Sequence, residues 1–193
     1  MDLNSLLDPR LIALVAVAAV VAGGLVWLSV RQRRRLTADL RKRFGSEYDQ
    51  AVRDHGSARR AEAELAGRAK RVQGLNIRDL DPAQRDRFSF QWQALQSRFV
   101  DEPKGAVAEA DTLVSSVMQA RGYPVLDFKQ RAADISVHHP HVVANYRSAH
   151  EIAARLGEGD ASTEELRTAM IHFRSLFGEL MHLPNAAAMK AVA

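Results

Sequence analysis

The chain has 193 residues, no cysteine and a formal net charge of +4. The absence of cysteine excludes disulfides, thiolate metal sites and cysteine nucleophiles. The charge is uneven: residues 31–73 hold 13 basic and 6 acidic side chains, whereas residues 1–30 carry a net −1 and the remainder a net −2. A basic block that follows an apolar segment indicates membrane topology before it indicates nucleic-acid binding.

Residues 11–30 form an uncharged stretch of twenty residues. A helix rises about 1.5 Å per residue, so this stretch would cross a hydrocarbon core of roughly 30 Å. It predicts a single transmembrane helix, with residues 1–10 as a short extracytoplasmic N-terminus. The positive-inside rule then places the rest of the chain on the cytoplasmic face of the inner (plasma) membrane. The basic residues that set this orientation and would contact anionic lipid headgroups are Arg31, Arg33, Arg34 and Arg35.

Small residues recur at a spacing of four within this stretch, at Ala18 and Ala22 and at Ala19 and Gly23. Such pairs allow two membrane helices to approach closely. Homo-oligomerisation through the span is therefore one of the partner interactions that the sequence leaves open.

The remainder predicts an all-α fold, because apolar residues recur with a period near 3.6 and strand alternation is missing. We expect a basic juxtamembrane helical neck over residues 31–75, broken at Gly45 and containing a helix over 58–72. A helical bundle domain follows over residues 76–183, and residues 184–193 form a flexible tail.

Local signals place the helices of the bundle. Asp81-Pro82 opens a helix that carries Phe88, Trp92, Leu95 and Phe99 as core residues. Helices over 105–120 and 126–135 follow, and another is expected to begin at His139-Pro140. Ser162 to Glu165 is a capping box for the last helix. That helix has an apolar stripe of Leu166, Ala169, Met170, Phe173, Phe177 and Leu180.

Several short strings resemble a group of uncharacterised bacterial proteins that have one N-terminal membrane span and a helical domain. The resemblance covers about residues 40 to 180 and implies the same architecture, but it brings no activity and no known site. The strings are FGSEYD (44–49), RFVD (98–101), RGYP (121–124), QRAAD (130–134), SVHHP (136–140) and YRSAH (146–150).

Histidines supply the candidate metal ligands, since neutral imidazoles bind Zn²⁺, Ni²⁺ or Cu²⁺. The candidates are His138, His139, His141 and His150. His150 lies about three helical turns beyond His139, which is too far for one metal unless the chain folds back. We therefore expect structural roles for them, no metal and no cofactor, and keep metal binding or enzymatic chemistry over residues 138–150 as the alternative.

No motif for catalysis is present. His150-Glu151 begins like a zinc protease helix, but Ala154 stands where the second histidine is required. Asp111 and Asp134 lie beside apolar positions and could form a polar cluster, which we expect to be a structural salt bridge. The other members of that expected cluster are Arg131, Tyr146 and Arg147.

These patterns favour a non-catalytic protein-interaction or scaffold module that is anchored in the membrane and binds an unknown protein. The alternatives are the metal-binding or enzymatic domain named above, and nucleic-acid binding through the arginine-rich neck. The latter is not favoured, because Glu62 and Glu64 interrupt the basic residues between 59 and 71 and no aromatic platform accompanies them.

Overall fold

The computed structural model describes residues 9–158 and 161–182, apart from the side chains of residues 9–12, 15–16, 157–158 and 182. The expected N-terminal segment 1–10, except for the backbone of its last two residues, and the expected tail 184–193 lie outside the described residues. The all-α prediction is confirmed, because the described residues contain helices and turns and no strand. The helices are α1 (Pro9–Phe44), α2 (Ser46–His55), α3 (Ala58–Gln73), α4 (Pro82–Arg98), α5 (Pro103–Ala120), α6 (Phe128–Ile135), α7 (Val143–Ala154), a 3₁₀ turn (Arg155–Glu158) and α8 (Thr163–His182).

The chain divides into a first unit that ends at Lys42 and a second that begins at Arg43. The expected boundary between neck and bundle was near residue 75, so the structure assigns α2 and α3 to the bundle. The physical reason is packing: α2 lies against α3, and α3 lies against α6. Gly45, between α1 and α2, has a φ of +52°, which a residue with a side chain rarely adopts.

The described part of the first unit lies within α1, and its described apolar side chains between residues 13 and 30 are exposed to solvent. Val20 is 75 % exposed and Trp27 is 58 % exposed. Among the residues whose side chains are described, no helix has a stretch both long and apolar enough to cross a membrane. The predicted span over residues 11–30 is not supported by this finding; the side chains of residues 11, 12, 15 and 16 lie outside the described set.

The second unit is built on an apolar core between α4, α5, α7 and α8, and α8 packs against both α5 and α7. Trp92 of α4 stacks on Phe177 of α8 with ring centroids 4.6 Å apart. The stripe predicted for α8 is confirmed, because all six of its residues are buried. Of the four aromatic and aliphatic residues predicted for the core from α4, three are buried and Phe99 is partly buried against the same core.

Helix starts follow the local capping signals in two of three cases. Asp81 accepts a hydrogen bond from the backbone of Gln84 at 2.8 Å, and Ser162 forms the expected capping box with Glu165. The helix expected at His139-Pro140 begins instead at Val143. The reason is that the backbone N–H of His139 donates to Ile135 at 2.8 Å, so the chain turns once more after α6 before α7 begins.

Gly122 fixes the segment that connects α3 to α4. Its φ is +93°, and a Cβ at this position would lie 2.3 Å from the carbonyl oxygen of Asn76. The neighbouring backbone of Arg121 accepts a hydrogen bond from Arg78 at 2.9 Å. The close approach therefore needs a glycine, and it places the connector directly on the end of α5.

Candidate functional site

An open cleft of about 840 Å³ is lined by residues of α2, α3, α6 and α7 and of the turn before α6. We call it the charged cleft. Three arginines line it, and they come from two helices: Arg68 and Arg71 from α3 and Arg147 from α7. Each of them is engaged by a carboxylate of the protein itself.

Glu47 is the carboxylate that joins α2 to α7. It is 3 % exposed, and Arg147 donates to both of its oxygens, at 2.6 and 2.7 Å. A guanidinium nitrogen of Arg68 lies 3.6 Å from the Oε2 atom of the same carboxylate. The hydrogen bonds that Arg147 donates to Glu47 raise the pKa of Arg147 against the opposing effect of burial. The two parallel hydrogen bonds between Arg147 and Glu47 form a bidentate pair, the strongest arrangement of a guanidinium and a carboxylate group. The two residues are 100 positions apart in sequence.

Glu64 of α3 is a more exposed member of the same network and pairs with Arg68. Arg68 donates to it from Nε at 2.7 Å, and the Nε2 atom of His55 lies 2.5 Å from its other oxygen. Partial burial raises the pKa of Glu64, but the bonds from Arg68 and His55 outweigh that effect and lower it overall. Glu64 therefore stays ionised at neutral pH and holds Arg68 in place.

Asp134 of α6 is the second deeply buried carboxylate and is fully inaccessible to solvent. Its Oδ1 atom accepts from Arg71 at 2.7 and 2.9 Å and from Gln130 at 2.9 Å. Beside it, Arg68 donates to the hydroxyl of Ser136 at 3.3 Å. The arginines of α3 thus tie α3 to α6 through two polar contacts.

The four candidate histidines lie in three separate places. The Nδ1 atom of His138 lies 2.8 Å from the hydroxyl of Tyr123. Burial, with help from nearby positive charges, lowers the pKa of His138 to about 4, and burial raises the pKa of Tyr123. At neutral pH the histidine is therefore uncharged, and its ring shares one hydrogen bond with the tyrosine hydroxyl.

His139 and His141 both face Glu179 of α8, at 3.1 and 3.2 Å. His139 is 1 % exposed, and burial lowers its pKa despite the neighbouring carboxylate. Burial raises the pKa of Glu179, but hydrogen bonds from the two histidines outweigh this and lower it. This arrangement attaches the turn before α7 to the end of α8.

His150 belongs to a third group, in which its Nδ1 atom lies 3.0 Å from Asp111 of α5. Its ring stacks on Phe128 with centroids 3.6 Å apart. Tyr146 packs against the same Phe128 ring with centroids 5.1 Å apart, and burial raises the pKa of Tyr146 to about 12. Arg131 donates to Ser115 in the same place.

The predicted cluster around Asp111 and Asp134 is therefore divided between two places. Asp111 lies near Tyr146 and Arg131, whereas Asp134 pairs with Arg71 across the charged cleft. Arg147 pairs with Glu47 rather than with either aspartate. Both clusters join helices, which is the structural role that was expected.

No three histidine, aspartate or glutamate side chains are grouped so as to hold a metal ion anywhere in the described part of the chain. The expectation that no metal is bound stays a prediction, and metal binding by residues 138–150 stays the alternative to it. The basic side chains Arg31, Arg33, Arg34 and Arg35 are exposed on α1, and Arg31 lies over the ring of Trp27 at 5.1 Å.

The sequence reading missed three charged residues that organise the second unit: Glu47, Arg68 and Arg121. Arg121 is 2 % exposed, donates to the carbonyl of Leu180 at 2.6 Å and contacts Asp79 at 3.2 Å. A signal for Glu47 exists, since it lies on α2 beside the apolar residues Tyr48 and Ala51, which are also buried. An acid beside such residues predicts a buried ion pair. No comparable local signal marks Arg68 or Arg121.

Comparisons with known proteins return nothing for this chain: no protein-family model, no curated protein and no solved structure matches it.

Proposed function

We propose that the chain is a single-pass protein of the inner (plasma) membrane, with a cytoplasmic helical domain that binds another protein and catalyses no reaction. It would belong to the group of bacterial single-span proteins that its short sequence strings resemble. The observation that carries the proposal is α1. The described apolar side chains in its segment 13–30 are exposed, from Leu14 at 68 % to Val30 at 43 %, and exposed arginines follow them directly.

An exposed apolar helix of this kind is costly in water, because burial of apolar area gains about 25 cal/mol per Å². Insertion of residues 11–30 into a bilayer would remove that cost, and the helix would satisfy its own backbone hydrogen bonds there. Trp27 and Arg31 would then lie at the interface between hydrocarbon and headgroups, where aromatic and basic residues anchor membrane helices.

The binding role is supported by the charged cleft. It has the size of a site for several side chains, and its polar groups are held in place by the fold. A fixed surface of this kind suits recognition, because little conformational freedom is lost when a partner binds.

Reporter fusions test the membrane proposal. Alkaline phosphatase fused after Ala193 should be inactive and a fluorescent reporter at the same point should be active, with both fusions resisting alkaline extraction from membranes. A matched variant in which Arg31, Arg33, Arg34 and Arg35 become glutamine should lose this fixed orientation. High phosphatase activity of the unmodified chain, or its release by alkali, would contradict the proposal.

The first alternative function is the metal-binding or enzymatic domain, and nucleic-acid binding by the arginine-rich residues 31–75 is the second. The second would be favoured by steeply salt-dependent binding to DNA together with no binding to anionic vesicles.

A further inference from the structure

The arginines of the charged cleft are already committed to the fold. Arg147 is held by Glu47, Arg68 by Glu47 and Glu64, and Arg71 by Asp134. An anionic ligand such as a phosphate would have to displace carboxylates that are 3 % and 0 % exposed. A carboxylate left buried without its cation is strongly destabilising, so displacement is unfavourable.

The charge that remains in the cleft is negative. Of its described lining residues, four are cationic and four are anionic, and the two buried carboxylates Glu47 and Asp134 lie behind them. The cleft region therefore carries two more negative than positive charges. The net charge of the cleft region is thus negative although three arginines line the cleft.

The uncommitted charges lie where a partner would reach them. Asp54, Asp127 and Glu151 line the cleft, are exposed, and have no basic side chain within ion-pair distance in the described part of the chain. Asp54 accepts a hydrogen bond from Gln50 and Asp127 accepts one from the backbone of Gln130. Lys129 is the one uncommitted cation among the described lining residues.

We infer that the charged cleft receives a basic segment of the partner protein, with lysine or arginine side chains placed among Asp54, Asp127 and Glu151. This inference rests on the proposed function and names the chemistry of its partner. Complementary charge favours a basic segment and disfavours acidic peptides, phosphate groups and nucleic acid at this site. The volume of about 840 Å³ accommodates a short segment rather than a single side chain.

Peptide binding to the full-length protein in detergent micelles tests the inference. The probes are two fluorescein-labelled decapeptides of identical length, one with four lysines and one with four glutamates in the same positions. Fluorescence anisotropy at low ionic strength should show that the lysine peptide binds at least tenfold more tightly. The double variant D54N/E151Q should weaken that binding by about tenfold, because two attractive charges are removed.

The matched control is D86N/E164Q, which removes two exposed carboxylates from α4 and α8 and gives the same net charge. It should leave the affinity within twofold of the unmodified protein. Equal weakening by the two variants, or tighter binding of the glutamate peptide, would overturn the inference. Self-association of the unmodified protein that D54N/E151Q abolishes would also overturn it, because the occupant would then be a second copy of the chain.

The inference and the proposed function fail separately. Crosslinking in native membranes should capture a partner with the unmodified chain and lose it with D54N/E151Q. Capture that persists with this variant would leave the interaction role standing and remove the cleft as its site. The reporter fusions decide the membrane role without involving the cleft.

Discussion

Two sides of the second unit are held together by different forces. The side formed by α4, α5 and α8 is an apolar core in which Trp92 stacks on Phe177. On the other side, α3 is tied to α6, and α2 to α7, by the buried carboxylates Asp134 and Glu47. The buried apolar residues of α2 and α3 do not belong to the main core cluster.

The two kinds of contact contribute differently to stability and to geometry. Apolar packing is dense and its stabilisation scales with buried area, so the core sets the stability of the unit. Buried ion pairs contribute less net stability than apolar packing of the same volume, because both charges lose their hydration. They fix geometry instead, and the charged cleft is where the fold presents an ordered polar surface.

The largest expected effect comes from breaking the core side. Replacing Trp92 by alanine should lower the free energy of unfolding by about 3–5 kcal/mol, the range for truncating a buried large aromatic residue. Urea unfolding followed by circular dichroism gives the value. Phe90 on the same helix is 72 % exposed, so Phe90→Ala is the control and should change stability by less than about 0.5 kcal/mol. A change below about 1 kcal/mol for Trp92→Ala would place Trp92 outside the core.

The connector between the two sides should be the next most sensitive point. Gly122→Ala should cost about 2 kcal/mol or more, since it combines a φ of +93° with a contact of 2.3 Å to the backbone. Gly67 of α3 has nothing within 4 Å of its Cβ position, and Gly67→Ala should stabilise the unit by up to about 1 kcal/mol. Thermal unfolding of both variants measures this difference. Equal effects of the two substitutions would show that the connector is not fixed by Gly122.

Acid should weaken the turn that follows α6. The pKa of His138 is lowered from 6.5 to about 4 in the folded protein, so below pH 6.5 the unfolded chain binds a proton that the folded one does not. The contribution of His138 is then fully present above pH 6.5 and is lost as the pH falls towards 4, by about 3 kcal/mol. Unfolding measured at a series of pH values should show a shallower decline for His138→Gln. His141→Gln, at a residue that is 61 % exposed, is the control and should keep the decline of the unmodified protein. If stability falls with pH as steeply in His138→Gln as in the unmodified protein, protonation of His138 is not the cause of the decline.

The smallest expected effect concerns metal. Since the candidate histidines are distributed over Tyr123, Glu179 and Asp111, micromolar Zn²⁺ should change the melting temperature by less than about 1 °C. A saturable rise that His139→Gln or His150→Gln removes would instead favour the metal-binding alternative.

The sequence predicted well what is decided locally. The capping residues Asp81 and Ser162 lie within four residues of the groups they bind, and the stripe on α8 follows from helical period alone. The ion pairs were not predictable in the same way. Their partners are separated by 63 residues for Arg71 and Asp134 and by 100 for Glu47 and Arg147, so only the tertiary fold brings them together.

The start of α7 shows a second limit. Proline after His139 was a reasonable signal for a helix start, but the bonds that decide the boundary come from the preceding turn after α6. The histidines similarly share a short stretch of sequence, yet they contact three separate partners, Tyr123, Glu179 and Asp111, because the chain turns between them.

The central claim is that the arginines of the charged cleft are committed to the carboxylates of the fold. A double-mutant cycle on Glu47 and Arg147, with each residue replaced by glutamine singly and together, tests this most directly. The predicted coupling in the free energy of unfolding is at least about 1.5 kcal/mol. The same cycle on the exposed pair Arg98 and Glu109 should give below about 0.5 kcal/mol. Equal and small coupling in both cycles would contradict the claim and leave Arg147 free to bind an anionic ligand.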